Sequence, residues 1–178
     1  MVITTRALAV MMLFVLLSIV PSLASGDSDG HRFWRILSPG DSRWAVIELR
    51  WLDADLQEIS TMGATPIASG EHASWANGAA GMDNDESTYW SANVKADSED
   101  RWLGVDFGEG AAVAVAEAEV MQYNHEVYRV FRAYLEYSDD GVVWDLYDQA
   151  DLEDQCDQCE LFWEKIPGEP KFDHLDFL

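Results

Sequence analysis

Basic side chains are scarce in this chain: 11 Lys and Arg stand against 33 Asp and Glu, a formal net charge of −22. Nucleic acid, heparin-like chains and anionic lipid surfaces are repelled at long range by such a charge, so no polyanion is an expected partner. The plain reading of the acid is solubility outside the cell; the more specific one is a supply of carboxylates for a hard cation. Cysteine is nearly absent, with Cys156 and Cys159 alone. Their C-x-x-C spacing lacks a surrounding βαβ pattern, and the adjacent Asp and Glu residues disfavour a thiolate. A local disulfide between the two is expected ahead of redox or zinc chemistry. Asn77, Asn84, Asn93 and Asn124 all lack a hydroxyl residue two places on, which removes N-glycosylation,. Also missing are G-x-S-x-G, H-E-x-x-H and a glycine-rich phosphate loop,. A glycosidase needs only two carboxylates, and sequence does not show their separation.

Long apolar runs are limited to one. Met1 to Arg6 supplies a short positive segment, Ala7 to Val20 is unbroken apolar sequence, Pro21 ends it, and Ser22-Leu23-Ala24 provides the small residues of a cleavage site. Residues 1–24 read as a signal peptide. The alternative, an uncleaved anchor, requires ~20 apolar residues to span a bilayer, more than this run supplies. Export is therefore the expected localisation, secreted or extracellular. Beyond a polar linker at 25–31, a chain of about 150 residues is the size of one domain, able to bury a core without metal or disulfide help.

What is present is a series of short branched and aromatic runs cut by Gly, Asp, Asn and Ser, which predicts an all-β sandwich over residues 32–166. Strands are expected at Arg32–Leu37, Trp44–Leu52, Arg101–Phe107, Val113–Gln122, Arg129–Tyr137, Val142–Tyr147 and Leu161–Ile166. Alternation in the second puts Ala45, Ile47, Leu49 and Trp51 on one face and Val46, Glu48 and Arg50 on the other. The Ser138-Asp139-Asp140-Gly141 step predicts a hairpin. From Asp53 to Gly81 the residues are small and polar, a long loop with at most one short strand, and long ordered loops tend to carry function. Pro167 and Pro170 mark an irregular tail at 167–178. Eight tryptophans exceed the needs of an average core, so some belong at a surface,.

The stretch Gly81-Met82-Asp83-Asn84-Asp85-Glu86-Ser87-Thr88-Tyr89-Trp90 sets carboxylates around a turn, with a hydroxyl behind them. Such oxygens suit calcium, which accepts six to eight in irregular geometry. An EF-hand is excluded because Thr88 stands where its loop needs Gly and Val94 where it needs Glu. On spacing alone, a solvated acidic loop is an equal reading.

Three blocks occur in order: Asp83-Asn84-Asp85-Glu86-Ser87-Thr88-Tyr89-Trp90, Arg101-Trp102-Leu103-Gly104-Val105-Asp106-Phe107-Gly108, and Glu136-Tyr137-Ser138-Asp139-Asp140-Gly141-Val142-Val143-Trp144. Together they resemble the discoidin, or coagulation-factor type C, domain of the galactose-binding-like superfamily. That resemblance implies a jelly-roll β-sandwich. The family's terminal strands have their counterparts near the mature N-terminus, at Arg32–Ile36 and Val46–Leu49, as if permuted or paired there as a hairpin. If so, Glu48 should lie beside the Asp83–Thr88 loop. The resemblance further implies a structural calcium ion on Asp83, Asp85, Thr88 and Glu48, with a carbonyl near Met82 or Gly81. Asn84 replaces the usual Gly, a tolerable change because Asn reaches positive φ.

Family ligands bind at the loops of one end of the sandwich. Candidates are His72, Trp75, Asn77, Asn93, Tyr123, His125, Tyr128 and Arg129, where aromatics beside amide, imidazole and guanidinium groups suit a neutral hydroxylated ligand. Trp90, Trp102 and Trp144 match core positions of the family. The resemblance implies a non-catalytic binding module for galactose-like glycans or glycoproteins. The alternatives are a protein-binding adhesion or matrix module and, more distantly, a small glycoside hydrolase. Membrane insertion is not expected, because the loops lack apolar spikes backed by Lys and Arg.

Overall fold

The computed structural model describes residues 30–40, 43–92, 100–153 and 161–168. The leader, Asn93, Cys156, Cys159 and the tail from 169 onward lie outside the described residues. Among the described residues, nine strands form two antiparallel sheets: β1 (Phe33–Ser38), β2 (Ala45–Leu52), β3 (Thr65–Ala68), β4 (Trp90–Ser91), β5 (Arg101–Asp106), β6 (Glu117–Gln122), β7 (Arg132–Ser138), β8 (Asp145–Asp151) and β9 (Glu164–Pro167). One sheet has the order β3-β5-β1-β7-β8 and the other β4-β2-β6-β9. The chain is an all-β sandwich, as its alternating runs require.

The core between the sheets is built from period-2 faces. In β1, Trp34 and Ile36 are fully buried while Phe33 and Arg35 point outward, and Leu103, Val105, Ala133 and Leu135 meet them from β5 and β7. The other sheet contributes Trp44, Val46, Leu49, Trp51, Ala118, Val120 and Ile166. Burying a large apolar side chain of this kind contributes roughly 1.5–3 kcal/mol, so the four buried tryptophans Trp34, Trp44, Trp51 and Trp90 are a principal source of stability,. β1 and β5 also approach very closely. A Cβ on Gly104 would lie 2.3 Å from the Trp34 carbonyl oxygen and 2.7 Å from Arg35 Cβ, so only glycine lets the two strands meet,.

Several expectations are corrected. β1 and β2 do not form a hairpin; each lies inside a different sheet, β1 between β5 and β7 and β2 between β4 and β6. The strict alternation expected of β2 fails at a β-bulge between Val46 and Glu48. Below it Trp44 and Val46 face the core, and above it Leu49 and Trp51 do. One extra residue turns Ala45 and Ile47 away from the core, because each residue inserted in a strand reverses every side chain on one side of it. Of the Val113–Gln122 run only Glu117–Gln122 joins the sheet, Val113 making an isolated bridge to His31. The Asp-Gly turn holds, with Gly141 at φ 72, but β8 starts at Asp145 rather than Val142. The Asp140 carboxylate accepts the amides of both Val142 and Val143 at 2.8 Å, which extends the turn past them,.

Trp90 is a core residue, whereas Trp102 and Trp144 are half-buried and lie outside the core cluster. They flank Arg35 on the outer face of the five-stranded sheet, its guanidinium 5.2 Å from the Trp102 ring and 4.0 Å from that of Trp144. Arg35 also pairs with Glu136 at 2.6 Å. A cation–π ladder across β5, β1 and the β7–β8 turn thus covers that face.

Candidate functional site

Two features meet at the β4 end of the four-stranded sheet, an aromatic cavity and an acidic loop. The cavity, about 310 Å³, is walled by Trp75, Tyr89, Tyr123 and Tyr128, with Arg43 and His72 among its polar groups and Ala45, Ser91 and Ala92 lining the rest. Backbone hydrogen bonds set its frame. The His72 amide donates to the Ser91 carbonyl at 2.9 Å, the Tyr123 amide to Ala45 at 3.0 Å, and the Ala92 amide to Trp44 at 2.9 Å. Trp90 Nε1 donates to the Gly70 carbonyl at 3.0 Å, so a core tryptophan anchors the long loop that carries His72 and Trp75.

The walls are mutually tilted rings. Trp75 meets Tyr89 edge-on at 5.6 Å, Tyr89 meets Tyr123 at 4.7 Å, and Tyr123 meets Tyr128 edge-on at 5.8 Å. Trp75 remains 61% exposed. Burial, and after it the neighbouring Tyr123 and Tyr128, push the Tyr89 phenol above its ordinary value, so it is a neutral hydrogen-bonding group at pH 7,. Exposed aromatic faces beside hydroxyl, imidazole and guanidinium groups are suited to a ligand with one apolar face and a hydroxylated rim.

Four of the eight residues expected at a ligand site, His72, Trp75, Tyr123 and Tyr128, are brought together here. Asn77 is not among them. Its side chain accepts from the Ala80 amide at 3.1 Å and donates to the Ser74 carbonyl at 2.8 Å, capping the short 3-10 turn Gly78–Gly81,. Arg129 is buried instead against β9, with Nη2 2.9 Å from Glu164 Oε2 and Nε donating to the Glu153 carbonyl at 2.6 Å. His125 caps the 3-10 turn Glu126–Tyr128, its ring centroid 6.0 Å from that of Tyr128, and does not line the cavity. Arg43, Tyr89 and Ser91 were not anticipated. Tyr89 was legible in principle, since the neighbour of an inward Trp90 must point outward; Arg43 follows a turn and carries no local signal.

The acidic loop begins where the Gly78–Gly81 turn ends. Asn84 takes φ 59, the left-handed conformation that its replacement of Gly demands,. Glu48 does reach this loop from β2, as the sequence resemblance requires, and the Asp85 amide donates to both Glu48 Oε1 at 2.8 Å and Asp83 Oδ1 at 3.0 Å. Two carboxylates therefore converge on a single N–H. Glu48 is only 3% exposed. Burial pushes its carboxyl up to about 7; the amides of Asp85 and Asn84 oppose that rise, and the negative Asp83 adds to it,.

Thr88 Oγ1 lies 3.1 Å from the Ala80 carbonyl, 3.0 Å from the Asp85 carbonyl, and 3.0 and 2.9 Å from the Asp83 carboxylate oxygens. One hydroxyl proton serves one acceptor, so the loop gathers more oxygens than its own donors satisfy. Among the described residues no three His, Cys, Asp or Glu side chains converge as a metal-binding group. What converges is two carboxylates, a hydroxyl and two carbonyls, a donor set of oxygens alone that fits calcium rather than zinc. The Asp85 carboxylate turns instead to Ser87, at 2.6 Å from Oγ and 3.0 Å from N, and these bonds hold it below the usual carboxylate range. Its carbonyl is the oxygen that faces Thr88. The carbonyl that faces Thr88 at the end of the turn is that of Ala80, not of Met82 or Gly81.

The fold is a two-sheet antiparallel sandwich with an aromatic cavity framed by loops at one end, and no helix among the described residues is long and apolar enough to cross a membrane. Residues 65–162, more than half of the chain, match the F5/8 type C domain, and the chain belongs to that family. The match opens at β3 and closes before β9. No curated protein and no solved structure gave a match. Domains of this family are binding modules for glycans, lipids or proteins and occur in extracellular or secreted proteins.

Proposed function

We propose that the chain is a secreted, non-catalytic module that binds a glycan in the aromatic cavity and holds its acidic loop to β2 with a calcium ion. The observation that carries this reading is the cavity itself: exposed Trp75 with Tyr89, Tyr123 and Tyr128 around polar groups on a hydrogen-bonded frame. Aromatic faces stack on the C–H face of a pyranose while the rim groups take its hydroxyls. Asp83, Thr88, Glu48 and the carbonyls of Ala80 and Asp85 would hold the ion, whose charge would offset the repulsion between Glu48 and Asp83. Tyr89 directly follows Thr88, so fixing the loop also fixes one wall of the cavity.

Glycan-array binding of the chain and its Trp75→Ala variant tests the reading. Sugar binding that free galactose competes away, weakened about tenfold by loss of the stacking face, is the expected result. A blank array together with a protein captured by pull-down would overturn it in favour of an adhesion or matrix module.

A further inference from the structure

From the cavity's charge we infer that the glycan unit it accepts carries a carboxylate, and that Arg43 selects it. The inference rests on the glycan reading above and narrows the ligand's chemical class. With 33 acidic and 11 basic residues, carboxylates outnumber cations three to one in this chain. Arg32, Arg35, Arg50, Arg129, Arg132 and Lys165 all use their charge in this way, pairing with Asp106, Glu136, Glu119, Glu164, Asp151 and Glu117. Arg43 has no such partner among the described residues. Nor does it lie over an aromatic ring, as Arg35 and Arg50 do. It is exposed, and it lines the same cavity as the four aromatic side chains.

A guanidinium without a carboxylate among the described residues, in so acidic a molecule, is suited to an external partner. Its planar fork matches a carboxylate through two parallel N–H···O bonds, which a hydroxymethyl group does not reproduce. The cavity's remaining polar groups, the phenols, Ser91 and His72, suit the hydroxyls of the same sugar. Net charge does not oppose this. Long-range repulsion between exposed charges fades over about 8 Å at physiological ionic strength, whereas the fork acts in contact. Polyanions stay disfavoured, and a single acidic sugar residue does not.

The test is calorimetric titration of the chain with methyl galactoside and methyl galacturonide, which differ only in a hydroxymethyl or a carboxylate at C6, and with N-acetylneuraminate as a second acid. At least one acid should bind about tenfold or more tightly than the galactoside, as a charge-assisted bond implies. Arg43→Gln should bring that preference close to one, weakening the acid far more than the galactoside. Arg43→Lys, which keeps the charge without the fork, should retain part of it. Because Arg43 is exposed, both variants should melt within a degree or two of the parent. Equal or weaker binding of both acids, or a preference that survives Arg43→Gln, would overturn the inference and leave the glycan reading standing. Failure of every sugar to bind would overturn both.

Discussion

Two buried glutamates in the same four-stranded sheet live in opposite circumstances. Glu164, on β9, accepts from Arg129 Nη2 at 2.9 Å, from Gln122 Nε2 at 3.0 Å and from the Glu153 amide at 2.5 Å. Glu48, on β2, receives the Asp85 amide and faces the Asp83 carboxylate. Burial pushes both carboxyls upward. At Glu164 the protein supplies the countercharge itself, and the network closes around Gln122, whose Oε1 also accepts from Trp44 Nε1 at 3.1 Å and the Val130 amide at 2.9 Å. At Glu48 no cation is provided among the described residues and a second negative charge is brought close. The first arrangement is compensated within the fold; the second is the one that the proposed calcium ion would compensate.

The strongest way to break this contrast is at the compensated site. Arg129→Ala strands Glu164 as an uncompensated buried charge and should lower stability by about 3–5 kcal/mol, measured by urea unfolding, with no change in sugar affinity of the folded fraction. A loss of affinity without a loss of stability would return Arg129 to the ligand site.

The pH dependence of the Glu48 site is the next largest effect. In calcium-free buffer Glu48 titrates near 4.5 when unfolded and about 7 when folded. Between those values the folded chain holds a proton that the unfolded chain has released, so stability falls as pH rises through this window and levels off above it. The fall is on the order of 3 kcal/mol. Melting curves from pH 4 to 8 should show it, and Glu48→Gln should remove it while leaving a residual slope of the same sign from Glu164. An unchanged slope in the variant would sink the assignment.

Calcium sharpens the comparison with the smallest effect. At a hundredfold excess over its dissociation constant it should add about 2.7 kcal/mol, several degrees in melting temperature, and flatten the pH dependence. Glu48→Gln should lose most of that gain. Identical melting in calcium and in EDTA would mean the loop binds no ion.

Much of this was legible before the structure because the signals are local or ordered along the chain. Alternating runs gave the strands of the sandwich, and the left-handed Asn84 agrees with the family resemblance, in which it replaces a Gly. Glu48 was placed beside a loop 37 residues away through ordered motifs rather than periodicity. What stayed hidden depends on tertiary context. The bulge in β2 leaves no mark in a run where every residue except Arg50 is buried. Asn77 and Arg129 have the right chemistry for a sugar, yet one caps a turn and the other closes an ion pair 35 residues away. Arg43 carries no signal for the converse reason: only the three-dimensional arrangement of ion pairs reveals a cation that has none among the described residues.

The borders of the two sheets carry a consequence of their own. Among the described residues the outermost strands are β3 and β8 in one sheet and β4 and β9 in the other. β3 contains Pro66 and β9 ends on Pro167, β4 is two residues long, and β8 strings out Asp145, Asp148 and Asp151. Proline donates no ladder hydrogen bond, two residues make a poor template, and a row of carboxylates repels a like strand. Such borders resist fibre formation at high concentration, and they close off docking of an extended peptide as a tenth strand.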